Sequence, residues 1–277
     1  MDATAHTSNP TLWGLGSSFV EYLRVAQPGV LESAGLDGAA VVGAAHAEFA
    51  HATTVLALRY QRGIVMAGDR RATEGMTIAS RNIEKIFSAD DHSCVAIAGA
   101  AGPAIEMVRL FQVELEHYEK IEGRRLSLEG KANRLSEMIR QNLPAAMQGL
   151  AVVPIFAGFD LNHSRGRLFR FDVTGGRYEE LDFATTGSGG RDARSYVKGR
   201  WSGDLDEDAA TQIALEALFE ASDEDAGTGG PDVIRGIYPN VAVVDEDGYR
   251  EIPEDGIAEL FDATLSDLRN RYGGDIR

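Results

Sequence analysis

The sequence predicts an α+β domain of stacked layers. Two observations carry this. Its elements come in blocks: strands, two helices, strands, two helices, strands. A doubly wound parallel sheet would alternate single strands with single helices instead. The second observation is a pair of hairpin signals, Gly175-Gly176 and Asp245-Glu246-Asp247-Gly248, which make the strands they join antiparallel. A chain of 277 residues, 44% apolar, is long enough to bury a substantial core.

Taken in order, residues 1-52 hold five acids and one base, Arg24. Trp13, Leu15, Phe19, Tyr22 and Leu23 predict one short amphipathic helix within Leu12 to Leu31, ending near Pro28-Gly29. The remainder, to Ala52, is rich in small residues and reads either as a disordered tail or, more sharply, as a removable leader. The texture changes at Thr53. Thr54 to Tyr60 and Gly63 to Gly68 read as paired strands about Gln61-Arg62. Asp69 to Gly75 is a polar loop, followed by short strands near Met76-Ala79 and Lys85-Ser88 and a third at Ser93-Gly99.

Pro103 to Ile121 is a helix, with Ile105, Val108, Phe111, Leu115 and Tyr118 on one face. Ser127 to Gly149 is a second, bent or shortened by Pro144. Strands return at Val152-Phe159, Arg167-Val173 and Arg177-Leu181. A helix follows Gly190, and another spans Asp208 to Ser222. Val241-Val244 and Tyr249-Ile252 are the last strands. Pro253 to Tyr272 is helical.

Composition excludes some functions. A net charge of -16 argues against nucleic-acid binding, which rests on clustered Lys and Arg. With one cysteine, Cys94, there is no disulfide framework and no multi-cysteine zinc site. No run reaches the roughly 18–20 apolar residues of a membrane-spanning helix. Residues 38-47 only imitate a signal-peptide end, because no basic segment introduces them. The expectation is an intracellular, cytoplasmic protein. His6, His46, His51, His92, His117 and His163 show no metal-ligand spacing, and Asp204-Asp208 and Asp223-Asp225 read as solvated surface acids.

Chemistry centres on Thr53. A threonine hydroxyl is a weak nucleophile until a base takes its proton. A free α-amine on the same residue, with an ordinary pKa of about 7.7–8.0, can be that base. It exists only if the Ala52-Thr53 bond is cut, so the intact chain is expected to be inert. Asp69 follows a strand, and Lys85 falls in the apolar stretch Ile83-Glu84-Lys85-Ile86-Phe87. A lysine there needs a carboxylate partner. Gly99 ends a strand just before a helix, a turn that can aim a backbone N–H at an oxyanion. Gly187-Ser188-Gly189-Gly190 and Gly227-Thr228-Gly229-Gly230 lack a P-loop lysine and a full dinucleotide fingerprint. No Gly-x-Ser-x-Gly elbow is present.

Several separated motifs, in one order, resemble proteasome β subunits. They are Thr53-Thr54-Val55, Val65-Met66-Ala67-Gly68-Asp69-Arg70-Arg71-Ala72-Thr73, Lys85, Ile97-Ala98-Gly99, the stretch from Val113 to Lys120, Ala145 to Gly149, and Gly229-Gly230-Pro231-Asp232. They span nearly all of 53-260, and the later ones are similar to the actinobacterial 20S type.

The resemblance implies a four-layer αββα sandwich of the N-terminal nucleophile hydrolase class over 53-277, with 1-52 a propeptide. It implies Thr53 as nucleophile and base, Asp69 and Lys85 as its charged supports, and Gly99 as oxyanion donor. Ser188 and Asp232 match positions near the threonine amine, and Thr73 one that holds substrate backbone. Ala72, Ile83, Phe87, Ile97 and Ala101 match the pocket for the side chain before the cut bond. All five are apolar, so cleavage after apolar residues is expected. No cofactor is implied. The implied partners are the proteasome α subunit, other β subunits in seven-membered rings, an ATP-dependent ring unfoldase and substrates tagged by a ubiquitin-like protein.

Two departures stand out. Relatives usually carry glycine where this chain has Ala52, and many carry serine three residues after the acid matched to Asp232, where this chain has Arg235. The rival readings are the simpler two-ring bacterial threonine peptidase, whose chains are usually shorter, and a non-catalytic ring subunit that keeps its leader.

Overall fold

The computed structural model describes residues 53–75 and 77–272. The expected leader, its helix and Ala52 lie outside the described residues, as does Met76. The first strands are β1 (Thr54–Arg59), β2 (Ile64–Gly68), β3 (Ala72–Glu74), β4 (Thr77–Ser80), β5 (Ile86–Asp90) and β6 (Ser93–Ala96). Helices α1 (Ala101–Glu122), α2 (Leu128–Gln141) and the short α3 (Leu143–Ala146) follow. Then come β7 (Ile155–Asp160), β8 (Arg165–Phe171), β9 (Arg177–Glu180) and β10 (Phe183–Gly187). Helices α4 (Gly190–Lys198) and α5 (Glu207–Glu224), strands β11 (Asn240–Asp245) and β12 (Gly248–Glu251), and α6 (Glu254–Tyr272) close the chain.

The strands form two five-stranded antiparallel sheets, ordered β10-β1-β2-β11-β12 and β5-β6-β7-β8-β9, with β3-β4 as a separate hairpin. Strand β1 explains the stacking. Val55 and Ala57 pack with Cys94, Ala96, Ile155 and Leu168 of the second sheet. Leu56 and Leu58, pointing the other way, pack with Leu215 and Leu218 of α5 and Phe261 of α6. Successive side chains of a strand face opposite sides, so a strand buried on both faces must be apolar throughout. On the far side of the second sheet, Phe156 and Phe169 meet Phe111 of α1 and Leu135 of α2. Helices, sheet, sheet, helices: the molecule is an α+β sandwich of four layers.

Local chemistry sets the element ends. Helix α1 carries Pro103 in its first turn, where no N–H is needed, and stops at Gly123, whose φ of 64° lets its N–H reach Glu119 O. The Ser127 and Asp206 side chains cap α2 and α5 by accepting from Gly130 N and Ala209 N. The expected helix from Ser127 to Gly149 is split. Pro144 cannot continue a helix that began at Leu128, so α2 ends at Gln141 and α3 restarts with the proline in its first turn. The strand expected over Ser93-Gly99 runs regularly only to Ala96, and Gly99 pairs again as an isolated bridge to Val152. Lys85 stands just before β5 rather than inside it, although Ile97 N still donates to its carbonyl at 2.8 Å.

Candidate active site

Thr53 immediately precedes β1 and is 6% exposed. Its carbonyl accepts from Ser188 N at 2.8 Å, so the loop after β10 holds the start of β1. That approach needs glycine at 187: its φ is 98°, and a Cβ there would lie 1.8 Å from Thr53 O.

Strand β2 delivers Asp69 beside β1. Asp69 N donates to Thr54 O at 3.0 Å, and Thr54 N returns a bond to Asp69 Oδ1 at 2.7 Å. Oδ1 also accepts from Lys85 Nζ at 2.5 Å, while Oδ2 accepts from Arg71 N at 2.9 Å and Gly229 N at 2.8 Å. Four donors therefore saturate a carboxylate that has no solvent exposure. Lys85 is 2% exposed. Burial pulls its ammonium below the ordinary lysine value, and the Asp69 charge and hydrogen bond oppose that.

Thr53, Ala72, Thr73, Ile83, Lys85, Ile97, Gly99 and Ala101 line one small cleft. The structure thus brings together the expected nucleophile, the expected lysine, the expected oxyanion donor and four of the five residues expected to receive a side chain. Phe87 is the exception. It is half-buried and packs against the core cluster between the second sheet and α1, which includes Val95, Phe111 and Ile97 of the cleft itself. A roomier hollow near Val113, Tyr118 and Ile121 on α1 and Leu126 in the loop after it is almost wholly apolar and holds none of the expected catalytic groups.

Gly99 has a φ of 104°, and a Cβ on it would lie 2.1 Å from Ala151 O. Its bridge to Val152 is made by flanking groups: Ala100 N to Ala151 O at 2.8 Å and Val153 N to Ala98 O at 2.9 Å. In such a pairing the two opposed residues turn their own N–H and C=O away from each other. The Gly99 N–H is therefore not spent on the bridge.

The second corner of the site differs from the arrangement the resemblance implies. Asp232, expected near the Thr53 nitrogen, instead accepts from Arg235 Nη1 at 2.5 Å and closes a turn with Ile237. The acid that meets Ser188 is Asp225, at the C-terminal end of α5. Ser188 Oγ donates to its Oδ2 at 2.5 Å, and Thr228 Oγ1 donates to the same oxygen at 2.6 Å. The hydroxyl three residues after the acid is thus Thr228, and Arg235 does not stand in for it. Burial pushes the Asp225 carboxyl up, but the Ser188 and Thr228 hydroxyls with the Gly227 and Thr228 amides outweigh it and hold it below the usual range. Thr53 N lies 3.4 Å from Ser188 Oγ.

In the intact chain the Thr53 nitrogen is a peptide amide, a donor with no basic lone pair. It marks where an α-amine would sit after cleavage. Among the described residues no cluster of His, Cys, Asp or Glu is placed to hold a metal, and no helix is long and apolar enough to cross a membrane.

A four-layer sandwich with this corner at the start of an inner strand is the architecture of the N-terminal nucleophile hydrolases. Comparison with known sequences narrows that class. The family described as "Proteasome subunit" matches residues 49–235. A "Proteasome subunit beta" of Acidimicrobium ferrooxidans is 61% identical over 79% of this chain and 80% of its own length. Proteins of the same description from Acidothermus cellulolyticus and Frankia casuarinae are 53% and 50% identical, covering 94% and 93% of this chain and 90% and 93% of their own lengths. The chain belongs to the proteasome subunit family, and its likeness is to the β subunits. It is a subunit of a proteasome protease, assembled in rings with other proteasome subunits.

Proposed function

We propose that this β subunit is a threonine endopeptidase that activates itself by cleaving Ala52-Thr53, releasing residues 1-52 as a propeptide. One observation carries the reading: Thr53, Lys85 and Gly99 line a single cleft, and Lys85 is paired to a fully buried Asp69. The freed Thr53 amine takes the hydroxyl proton as the oxygen attacks a peptide carbonyl. The Gly99 N–H meets the oxyanion. The amine returns its proton to the leaving nitrogen, leaving an acyl ester on Thr53. Water, deprotonated by the same amine, then releases the acid. The Asp69–Lys85 pair sets the field at the nucleophile. Ala72, Ile83, Ile97 and Ala101 give the cleft an apolar wall, which suits cleavage after apolar residues.

The family setting supports α subunits as ring partners, with an ATP-dependent unfoldase delivering proteins tagged by a ubiquitin-like modifier in the cytoplasm. The test is Thr53→Ala in the assembled particle. Peptide hydrolysis should fall to background, and retained hydrolysis would refute the assignment.

A further inference from the structure

The chain has a net charge of -16, yet three arginines share one hollow. Arg70, Arg71 and Arg81 border a space of about 50 Å³ that Gly229, Gly230 and Tyr238 help to close. The acid at its rim, Asp232, is already spent on Arg235. Among the described residues no carboxylate lies within ion-pair distance of Arg71 or Arg81. Arg71 Nη1 donates to a neutral carbonyl, Ala226 O, at 2.9 Å.

Arg70 is the decisive member, because it is only 9% exposed. Its Nη1 donates to Glu254 Oε1 at 3.2 Å, but its buried Nε has no hydrogen-bond partner among the described residues. Buried polar groups are rarely left unpaired, so this donor calls for an acceptor. One water could meet that N–H, but it would leave the Arg71 and Arg81 charges unanswered. Guanidinium groups match the oxygens of carboxylates and phosphates with paired, charge-assisted hydrogen bonds. Arg70 also borders a neighbouring hollow, but Glu84, Glu251 and Glu254 line that one and would repel an anion. A single water needs roughly 10–15 Å³ on this measure, so the arginine hollow takes one small oxyanion and nothing the size of a nucleotide.

The hollow touches the active site through the backbone. Arg71 N and Gly229 N both donate to Asp69 Oδ2, at 2.9 and 2.8 Å. These two residues are in close contact, since a Cβ on Gly229 would lie 2.7 Å from Arg71 Cβ. An anion gripped by Arg71 at this wall steadies the pair of amides that hold Asp69. We propose that Arg70, Arg71 and Arg81 form a binding site for one small oxyanion, a phosphate or a peptide carboxylate, and that the bound anion steadies Asp69. Binding is independent of the chemistry at Thr53, and only its effect on hydrolysis rests on that reading.

The experiment titrates the assembled particle with inorganic phosphate, and separately with acetate, by calorimetry at fixed pH and ionic strength. One anion per β subunit should bind saturably, with a dissociation constant of about 1 mM or tighter. The tighter of the two identifies the source, phosphate or carboxylate. Arg81→Gln, at an exposed position, should weaken binding at least fivefold. Arg124→Gln removes an exposed charge outside the hollow and should change binding less than twofold, which separates a built site from general attraction to positive charge. Arg70→Gln should abolish binding, and if it fails to assemble, Arg81→Gln carries the test. Saturating anion should raise kcat for peptide hydrolysis at least twofold in wild type and leave Arg81→Gln unmoved. No saturable binding of either anion at about tenfold the expected dissociation constant would overturn the site. So would an Arg81→Gln effect no larger than that of Arg124→Gln. Binding with kcat unmoved would overturn the steadying of Asp69. Thr53→Ala separates this inference from the catalytic reading: its particle should bind the anion as wild type does, and if that particle hydrolyses peptides only the nucleophile assignment falls.

Discussion

Replacing Gly99 with alanine tests the oxyanion assignment through geometry. The added Cβ would sit 2.1 Å from Ala151 O, and real contacts of this kind essentially never fall below 3.0 Å, so the backbone must shift by 3.0 − 2.1 = 0.9 Å. Holding alanine at a positive φ costs about 1–2 kcal/mol, and crowding a packed site costs a further ~1–3 kcal/mol. The sum, about 2–5 kcal/mol, is within reach of a domain stability of roughly 5–15 kcal/mol, so the fold should survive. Function should not. Misplacing a catalytic group by about 1 Å costs on the order of 10²-fold in rate, near 2.7 kcal/mol of barrier. Gly99→Ala should therefore lower kcat about a hundredfold in assembled particles, normalised to processed Thr53 termini, with KM nearly unchanged. A kcat within threefold of wild type would show that the Gly99 N–H does not meet the oxyanion.

Three other outcomes follow from the same contacts. Lys85→Met leaves Asp69 buried with its three backbone N–H donors but no cation. It should destabilise the subunit by about 3–5 kcal/mol in thermal or urea unfolding and abolish hydrolysis; an unchanged unfolding midpoint refutes the structural part. Asp225→Asn replaces an acceptor-only group with one that also donates, and should cost at least tenfold in kcat. Asp232→Asn, which disturbs only the turn at Arg235, should leave kcat within twofold, and the reverse order would reassign the acid. Asp172 is held down to about 2, first by the Thr174 hydroxyl and then, against the opposing effect of burial, by Gly176 N, Tyr178 and Thr174 N. A carboxylate depressed by folding adds stability above its ordinary value of 3.8, and loses it as pH falls toward 2. Asp172→Asn should therefore flatten the acid limb of a stability-versus-pH curve between those values; an unchanged limb contradicts the contribution.

Much of the site was legible because each residue broke a local rule. A lysine in an apolar stretch, two threonines opening a buried strand and a glycine just before a helix each called for a reason. The two-hairpin, two-block pattern gave the layers. Asp225 was missed because it ends the acidic run Asp223-Glu224-Asp225, which reads as a solvated helix end. Only the fold shows that this end of α5 packs against the loop carrying Ser188 and Gly189. A signal was present: Asp225-Ala226-Gly227-Thr228 is a turn in which the carboxylate takes the Gly227 N–H at 3.1 Å and the Thr228 hydroxyl at 2.6 Å. Phe87 was expected in the pocket from the resemblance alone. It is half-buried and packs against the core cluster beside α1, to which Ile97 of the cleft also belongs.

The most direct measurement is the N-terminal residue of the β chain in the purified, assembled particle, read by intact mass and terminal sequencing. Alanine before the threonine carries a methyl group that restricts the backbone at the cut, and it should slow the cut without preventing it. The account predicts a chain that begins at Thr53. An intact Ala52-Thr53 bond in a particle that hydrolyses peptides would contradict it, because the proposed base would not exist.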